Sequence, residues 1–189
     1  MPVNFSDLSR GLVVELESQP WEVLDYERNK MQKRAPVTKI KMKNMITGSV
    51  VEKSFQRDDT GMELAEIENK EAQYLYTDGE YHYFLDQESF EQYELVESQL
   101  GNAINYVKEG MIIEVVFYKG SAINVILPTH VELEVADTPP AFKGDTAQGG
   151  NKPATLETGY VLNVPLFIDE GDKLRIDTRT GEYVERSKD

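Results

Sequence analysis

Short segments of alternating apolar and polar residues, each followed by turn-forming residues, recur along the whole chain. Thr38–Lys43 and Val131–Ala136 are clear examples, because every second residue in them is charged or small. A period of two places successive side chains on opposite faces of a β-strand. Turns recur about every ten residues, which is typical of small antiparallel barrels. The sequence therefore predicts an all-β protein.

The distribution of charge divides the 189 residues into three modules. Acidic and basic residues balance up to residue 65, whereas residues 66–127 hold twelve acidic and only three basic residues. Pro128 ends the last predicted strand of this acidic module, because proline cannot donate a hydrogen bond to a ladder. We expect three small β-barrel domains, at residues 1–65, 66–128 and 129–189.

The first module contains a strongly basic segment, residues 28–43, with seven basic and no acidic residues, although the chain has 20 Lys plus Arg against 34 Asp plus Glu. β-forming residues on both sides predict a hairpin with its tip near residues 31–34. Such a concentration of cations favours a polyanion, and the phosphates of RNA are the obvious candidate. The alternative is a solvated hairpin whose charges only prevent edge-to-edge aggregation. The basic residues are Arg28, Lys30, Lys33, Arg34, Lys39, Lys41 and Lys43.

The central module begins with a hairpin at Asp78-Gly79, a dipeptide that strongly favours a tight turn between strands. The aromatic residues around it, within 74–84, could stack on nucleic-acid bases. Alternatively they form cross-strand pairs and fill a barrel core, which is the more frequent role of such residues. Further along, Leu100, Ile104 and Val107 have helical spacing.

No set of residues in the chain indicates catalysis, a metal site or a cofactor site. There is no cysteine, and His82 and His130 lie in different modules among strand residues, where a structural role is expected. No phosphate-binding glycine loop and no nucleophile elbow are present. No apolar run reaches the about 18 residues of a membrane span, and Met1–Asp7 does not resemble a secretory signal. We expect a protein without enzymatic activity, located in the cytoplasm.

A specific motif lies in the third module, within residues 152–171. It resembles the signature of the bacterial translation elongation factor P family, and the resemblance extends over the whole chain. Gln73–Tyr76 is similar to the family's second domain, and Arg175–Val184 to its third. The signature positions are Lys152, Ala154, Gly159, Leu162, Val164, Pro165, Ile168 and Gly171.

The resemblance implies both a fold and a function. The family has an SH3-like (KOW-like) barrel followed by two OB folds, in an L-shaped, tRNA-like arrangement. Its members bind the 70S ribosome between the peptidyl and exit sites, stimulate peptide-bond formation and relieve stalling at consecutive prolines. Expected partners are the ribosome, peptidyl tRNA, ribosomal RNA and a lysine-modifying enzyme. The protein is expected to be a monomer.

The resemblance also assigns residues to this function. Counting without gaps from Pro20 to Asn44 places the tip lysine, which is modified in many members, at Lys33. The family's usual tip, Lys-Pro-Gly-Lys-Gly, is here replaced by residues 30–34, Lys-Met-Gln-Lys-Arg, and Arg34 is a rival for the tip position. The expected tRNA and rRNA contacts are Arg28, Lys30, Met31, Gln32, Arg34, Lys39, Lys41 and Lys43. Gly144, Asp145 and Thr146 are expected near the exit-site codon, and Tyr183 and Arg186 near a small-subunit protein, although Tyr183 could equally serve in strand pairing.

Two other functions fit the sequence less well. One is a general RNA-binding or RNA-chaperone OB protein, or a specialised paralogue of the factor. The other is an enzyme that acts on acidic ligands, for which no catalytic residues can be named.

Overall fold

A computed structural model of the protein describes residues 2–29, 37–56, 61–140 and 150–187. Three five-stranded antiparallel sheets follow one another along the chain, so the prediction of an all-β protein is confirmed. In these residues, helical structure is limited to three short pieces, the 3₁₀ helices Phe5–Asp7 and Gly101–Asn105 and the α-helix α1, Glu97–Leu100. The described residues contain no helix that is long and apolar enough to cross a membrane.

The first sheet contains the predicted basic hairpin. Its strands are β1 Val13–Leu16, β2 Gln19–Asn29, β3 Val37–Asn44, β4 Val50–Gln56 and β5 Glu63–Leu64. They lie in the order β4-β3-β2-β1-β5, and β2 pairs with β3 as far as Asn29 opposite Val37. Alternation along β3 buries Thr38, Ile40 and Met42 and leaves Lys39 and Lys41 exposed, as the period of two predicts.

The second sheet is formed around the Asp78-Gly79 hairpin. Its strands are β6 Ile67–Thr77, β7 Tyr81–Asp86, β8 Gln92–Val96, β9 Ile112–Tyr118 and β10 Ser121–Ile126, in the order β10-β9-β6-β7-β8. The two outer strands, β8 and β10, approach each other, so the sheet curls towards a barrel. The Asp78 carboxylate accepts hydrogen bonds from the backbone N–H groups of Glu80 and Tyr81, which fixes the turn.

The aromatic residues of this hairpin follow the second interpretation, because they pair across strands and fill the core. Tyr74 and Phe84 are buried, with ring centroids 5.3 Å apart. Tyr76 pairs with Tyr83 across the ladder at 4.8 Å, on the outer face of the sheet. Each pair joins neighbouring strands, as cross-strand aromatic contacts commonly do.

The third sheet contains the signature segment. Its strands are β11 His130–Asp137, β12 Asn151–Leu156, β13 Val161–Pro165, β14 Lys173–Asp177 and β15 Glu182–Arg186, in the order β13-β12-β11-β14-β15. Its outer strands β13 and β15 also come together, which makes a second near-barrel. Leu133, Val164, Leu174 and Ile176 fill the core with almost no exposure.

A separate apolar cluster joins the first sheet to the second. We call this contact the first joint. The ion pair between Lys119 Nζ and Glu15 Oε1, 2.9 Å apart, connects the same two sheets. The buried members of the cluster are Met45, Ala65, Val116, Tyr118 and Ile123.

A tyrosine side chain joins the second sheet to the third, in what we call the second joint. Tyr106, directly after the 3₁₀ helix, is 3% exposed and belongs to the apolar core of the third sheet. Its ring lies edge-to-face against Tyr160, with the centroids 5.3 Å apart. Thr158 donates a hydrogen bond of 2.7 Å to the Asn105 carbonyl, which fixes the backbone beside the tyrosine.

Candidate RNA-binding surfaces

The lysines of β3 lie in a ladder of mixed charge. The register places Lys39 opposite Glu27, and Lys41 between Asp25 on β2 and Glu52 on β4. Lys39 Nζ lies 3.5 Å from a carboxylate oxygen of Glu52, although both side chains are more than half exposed. Carboxylates therefore offset much of the positive charge on this face, and the sequence did not predict this.

Arg10 adds a further cation to the same sheet. Its guanidinium contacts Asp25 Oδ1 at 2.8 Å, and this contact is the main reason that the pKa of Asp25 is lowered. Asp25 is one of the two carboxylates that face Lys41, and its negative charge is balanced by this ion pair with Arg10. Arg28, near the end of β2, is exposed and its Cα lies opposite that of Thr38.

The predicted tip lies outside the described residues. This applies to Lys33 and to its neighbours at positions 30–34, so their expected contacts stay predictions. The last described pair of the hairpin is Asn29 opposite Val37, and residues 30–36 lie between these two positions in the sequence.

The residues expected near the small subunit are only partly described. Gly144, Asp145 and Thr146 lie outside the described residues. Tyr183 is half-buried in β15, pairs with Ile176 and packs on the core of the third sheet, which is the strand-pairing role.

Arg186 lies on the outer surface of β15. Its guanidinium is 3.4 Å from a carboxylate oxygen of Asp172, and its side chain is more than half exposed. A surface ion pair of this kind contributes little to stability, so the guanidinium remains accessible to another acidic partner.

The family signature has a structural explanation in the third sheet. Ala154 and Val164 are core residues, and Pro165 ends β13. Gly159 and Gly171 have φ values of +85° and +86°, a region that favours glycine. The signature therefore specifies strands and turns.

Lys152 is the charged member of the signature, and it is 5% exposed. Its ammonium donates a hydrogen bond of 2.9 Å to the Pro139 carbonyl. Nearby, Thr138 Oγ1 donates to the Pro153 carbonyl, also at 2.9 Å. These bonds connect the two ends of the segment that holds Gly144–Thr146, and a buried ammonium is well suited to this because it must find an acceptor.

The histidines show no catalytic arrangement. His82 is buried, contacts the hydroxyl of Tyr74 through Nδ1 at 3.1 Å, and burial lowers its pKa. His130 lies 3.5 Å from the guanidinium of Arg175, in another sheet. Within the described part of the chain, no group of three or more His, Asp or Glu side chains could hold a metal ion.

Comparison with known families accounts for nearly the whole chain. Models of the elongation factor P KOW-like domain, the elongation factor P OB domain and the elongation factor P C-terminal domain match residues 4–60, 67–125 and 131–186. The chain belongs to the elongation factor P family. Members of this family are translation factors and not enzymes, so the expectation that the protein lacks enzymatic activity is confirmed.

Curated relatives agree with this assignment. The elongation factor P of Thermoanaerobacter sp. (strain X514) is 52% identical over 95% of this chain and 97% of its own length. That of Thermodesulfovibrio yellowstonii is 46% identical over 99% of this chain and 100% of its own. These identities extend the family resemblance to all three sheets.

Solved structures support the fold. Translation initiation factor 5A from Methanococcus jannaschii has a TM-score of 0.51 and 21% identity, and the match covers 67% of this chain and 97% of that structure. A related protein of Naegleria fowleri gives the same TM-score with 14% identity. The prediction of a KOW-like domain followed by OB domains is thus confirmed.

Proposed function

We propose that this elongation factor binds the 70S ribosome between the peptidyl and exit sites and stimulates peptide-bond formation at consecutive prolines. The ribosome carries out the chemistry. The factor would hold the peptidyl tRNA in place and bring Lys33 towards the peptidyl-transferase centre, which raises the fraction of reactive arrangements. Such a protein works in the cytoplasm as a monomer, with domains at residues 1–65, 66–128 and 129–189.

The register of the basic hairpin is the observation that carries the choice of Lys33. In the outer part of the hairpin, Arg28 lies opposite Thr38 and Asn29 opposite Val37. Lys33 is midway in the sequence between Asn29 and Val37, the last described pair, and Arg34 is one place past that midpoint. This agrees with the ungapped count that the family resemblance gave.

Expected contacts of the factor follow from charge and position. Phosphates of tRNA and ribosomal RNA would bind the cations of residues 28–43, although the carboxylates opposite Lys39 and Lys41 weaken that part of the surface. The strongest share of the binding is therefore assigned to positions 28–34. Asp145 and its neighbours would lie near the exit-site codon, and Arg186 near a small-subunit protein.

A Lys33→Ala variant tests the assignment, with Arg34→Ala as the matched control. We expect Lys33→Ala to lower the rate of proline-run peptide synthesis in reconstituted translation by about 10²-fold. This is the effect expected when the peptidyl tRNA is no longer held in a reactive position. Arg34→Ala should keep most of it. Urea unfolding of both variants should match the wild type, because substitutions of charged surface side chains away from a core usually change stability little. Full activity of Lys33→Ala would overturn the assignment, and loss with Arg34→Ala alone would move the tip by one residue.

A mass spectrum of the peptide 29–43, from protein purified out of its native host, tests the expected lysine-modifying enzyme. Added mass on Lys33 supports it, whereas an unmodified peptide in active protein shows that the bare lysine is sufficient.

A further inference from the structure

A crevice of about 420 Å³ lies where the three sheets come together. The turn after β3 supplies one side, α1 with the following 3₁₀ helix and β10 supply the second, and the turn after β14 supplies the third. Each sheet therefore contributes to one surface, which exists only when both joints are formed. The polar side chains that line it are Lys43, Ser98, Gln99, Asn102, Asn124 and Thr178.

The composition of this crevice contrasts with that of the chain. None of the described residues that line it is acidic or aromatic, although the chain carries 34 acidic residues and a net charge of −14. Glu97 and Asp177 are next to lining residues in sequence but do not line it. Asp177 is occupied by Arg179, with a carboxylate oxygen 2.6 Å from the guanidinium. The described lining therefore adds no negative charge of its own, in contrast to much of the surface.

Several of its polar groups have no partner among the residues that the structure describes. In the described part of the chain, Lys43, Ser98 and Asn102 form no side-chain hydrogen bond or ion pair. Lys39 on the same strand differs, because it lies 3.5 Å from Glu52. Lys43 has Glu22 opposite it in the ladder but is not within ion-pair distance. An ammonium, a hydroxyl and an amide are therefore available to a ligand.

We propose that the crevice binds the ribose–phosphate backbone of an RNA strand. An ammonium binds a phosphate as a point charge, and amides and hydroxyls bind phosphate oxygens and ribose 2′-hydroxyls. Because no described lining residue is aromatic, the described part of the crevice offers no surface on which bases could stack. Contact with the backbone is independent of sequence, which suits a factor that must work on many messages.

This inference rests on the proposed function, since it extends the RNA contact of the basic hairpin, which includes Lys43, to a second surface at the corner of the three sheets. The two surfaces differ in chemistry. The hairpin attracts phosphates through several cations, whereas the crevice has one cation and relies on neutral donors and acceptors of fixed position. Binding at the crevice should therefore depend on shape more than on salt.

The sharpest test places one carboxylate in the crevice. Asn102→Asp is nearly isosteric and adds one negative charge at an exposed lining position. Gln92→Glu is the matched control, because it makes the same kind of change at an exposed position on β8 outside the crevice. We expect Asn102→Asp to raise the Kd for ribosomes carrying a peptidyl-site tRNA about tenfold, the effect of one unfavourable charge contact at a partly screened surface. Gln92→Glu should stay within about twofold, because remote surface charges are screened.

Binding is measured to three partners, which are isolated tRNA, ribosomes without tRNA and ribosomes with a peptidyl-site tRNA. The comparison shows which RNA supplies the backbone and whether the crevice inference or the proposed function is wrong. Weaker binding of Asn102→Asp to isolated tRNA assigns the backbone to tRNA, and weaker binding only to ribosomes without tRNA assigns it to ribosomal RNA. Equal Kd values for Asn102→Asp and Gln92→Glu with every partner would overturn the crevice inference while the proposed function stands. Failure of the wild type to bind ribosomes would instead overturn the proposed function.

Discussion

The two joints of this protein are built on different principles. At the first joint the apolar cluster, including Met45 and Val116, is separate from the cores of the sheets that it connects. At the second joint Tyr106 of the central domain is itself part of the core of the third sheet. The first joint is therefore an interface between two sheets that each have their own core. At the second joint, the central domain supplies a side chain to the core of the third sheet.

The difference has consequences for stability. An interface cluster can weaken while the sheets on both sides keep their own cores. A shared core residue cannot be lost without cost to the sheet that surrounds it, because cavities in a core are destabilising. We expect the third sheet to depend on the second joint, and the first sheet to be nearly independent of the first joint.

Truncation of a tyrosine at each joint gives the largest expected effect. Tyr106→Ala should lower the free energy of unfolding by about 3–5 kcal/mol, the usual cost of removing a large buried aromatic ring. Tyr118→Ala is the matched variant at the first joint, where the ring is 6% exposed. Hydrogen exchange should increase throughout β11–β15 in Tyr106→Ala and stay near the wild-type rate there in Tyr118→Ala. Equal hydrogen-exchange rates in the third sheet of the two variants would show that the two joints do not differ in this way.

A glycine beside Tyr106 gives an intermediate effect. A Cβ at Gly181 would lie 2.6 Å from the hydroxyl of Tyr160 and 3.0 Å from that of Tyr106, and its φ is +74°. Gly159 has a φ of +85° and no atom within 4 Å of its Cβ position. An alanine substitution there would strain the backbone but would not cause a steric clash. We expect Gly159→Ala to lower the free energy of unfolding by about 1 kcal/mol, because alanine is disfavoured in the left-handed backbone region. Gly181→Ala should lower it by about 1–3 kcal/mol more, because the added Cβ overpacks the joint.

Urea unfolding measures both glycine variants, and a second substitution sharpens the result. Tyr160→Phe removes the nearest hydroxyl, so Gly181→Ala should cost less in that background than in the wild type. An equal cost for the alanines at 159 and 181 would show that the second joint yields easily and is not tightly packed.

The local features of the fold could be predicted from the sequence, because they depend on neighbouring residues. The turn after β3 is an example: Asn44 Oδ1 accepts hydrogen bonds from the backbone N–H groups of Ile46 and Thr47, which is the expected chemistry of an Asn turn. The hairpin at Asp78-Gly79 formed for the same kind of reason.

The features that join distant residues could not be predicted. A register shift between Val23 and Asp25 decides which carboxylates face the lysines of β3, and alternation alone does not reveal such a bulge. The spacing around residues 100–107 indicated a helical turn, but nothing in it showed that Tyr106 would enter the core of another domain. The crevice was missed for the same reason, because its lining comes from three separate domains.

The ion pair at the first joint gives the smallest expected effect. The Tyr118 hydroxyl and the Glu15 carboxylate beside Lys119 raise the pKa of this lysine to about 12. Lys119 is also the main cause of the lowered pKa of Glu15. A raised lysine pKa stabilises the folded state below the ordinary value of 10.5, and this contribution is lost as the pH rises through about 12. A lowered glutamate pKa stabilises it above 4.5, and this contribution is lost as the pH falls below that value.

Lys119→Met should therefore reduce stability most between about pH 5 and pH 10, where both groups are charged. The loss should be smaller than that caused by Tyr106→Ala or Gly181→Ala, because the ion pair is partly exposed. Urea unfolding at pH 4, 7 and 11, at low and high salt, measures this difference. A double-mutant cycle with Glu15→Gln isolates the pair, and its coupling should shrink in salt because both side chains are partly exposed. A coupling that persists in high salt, or faster exchange in the third sheet, would mean that the first joint is not a separable interface but is linked to the rest of the molecule as the second one is.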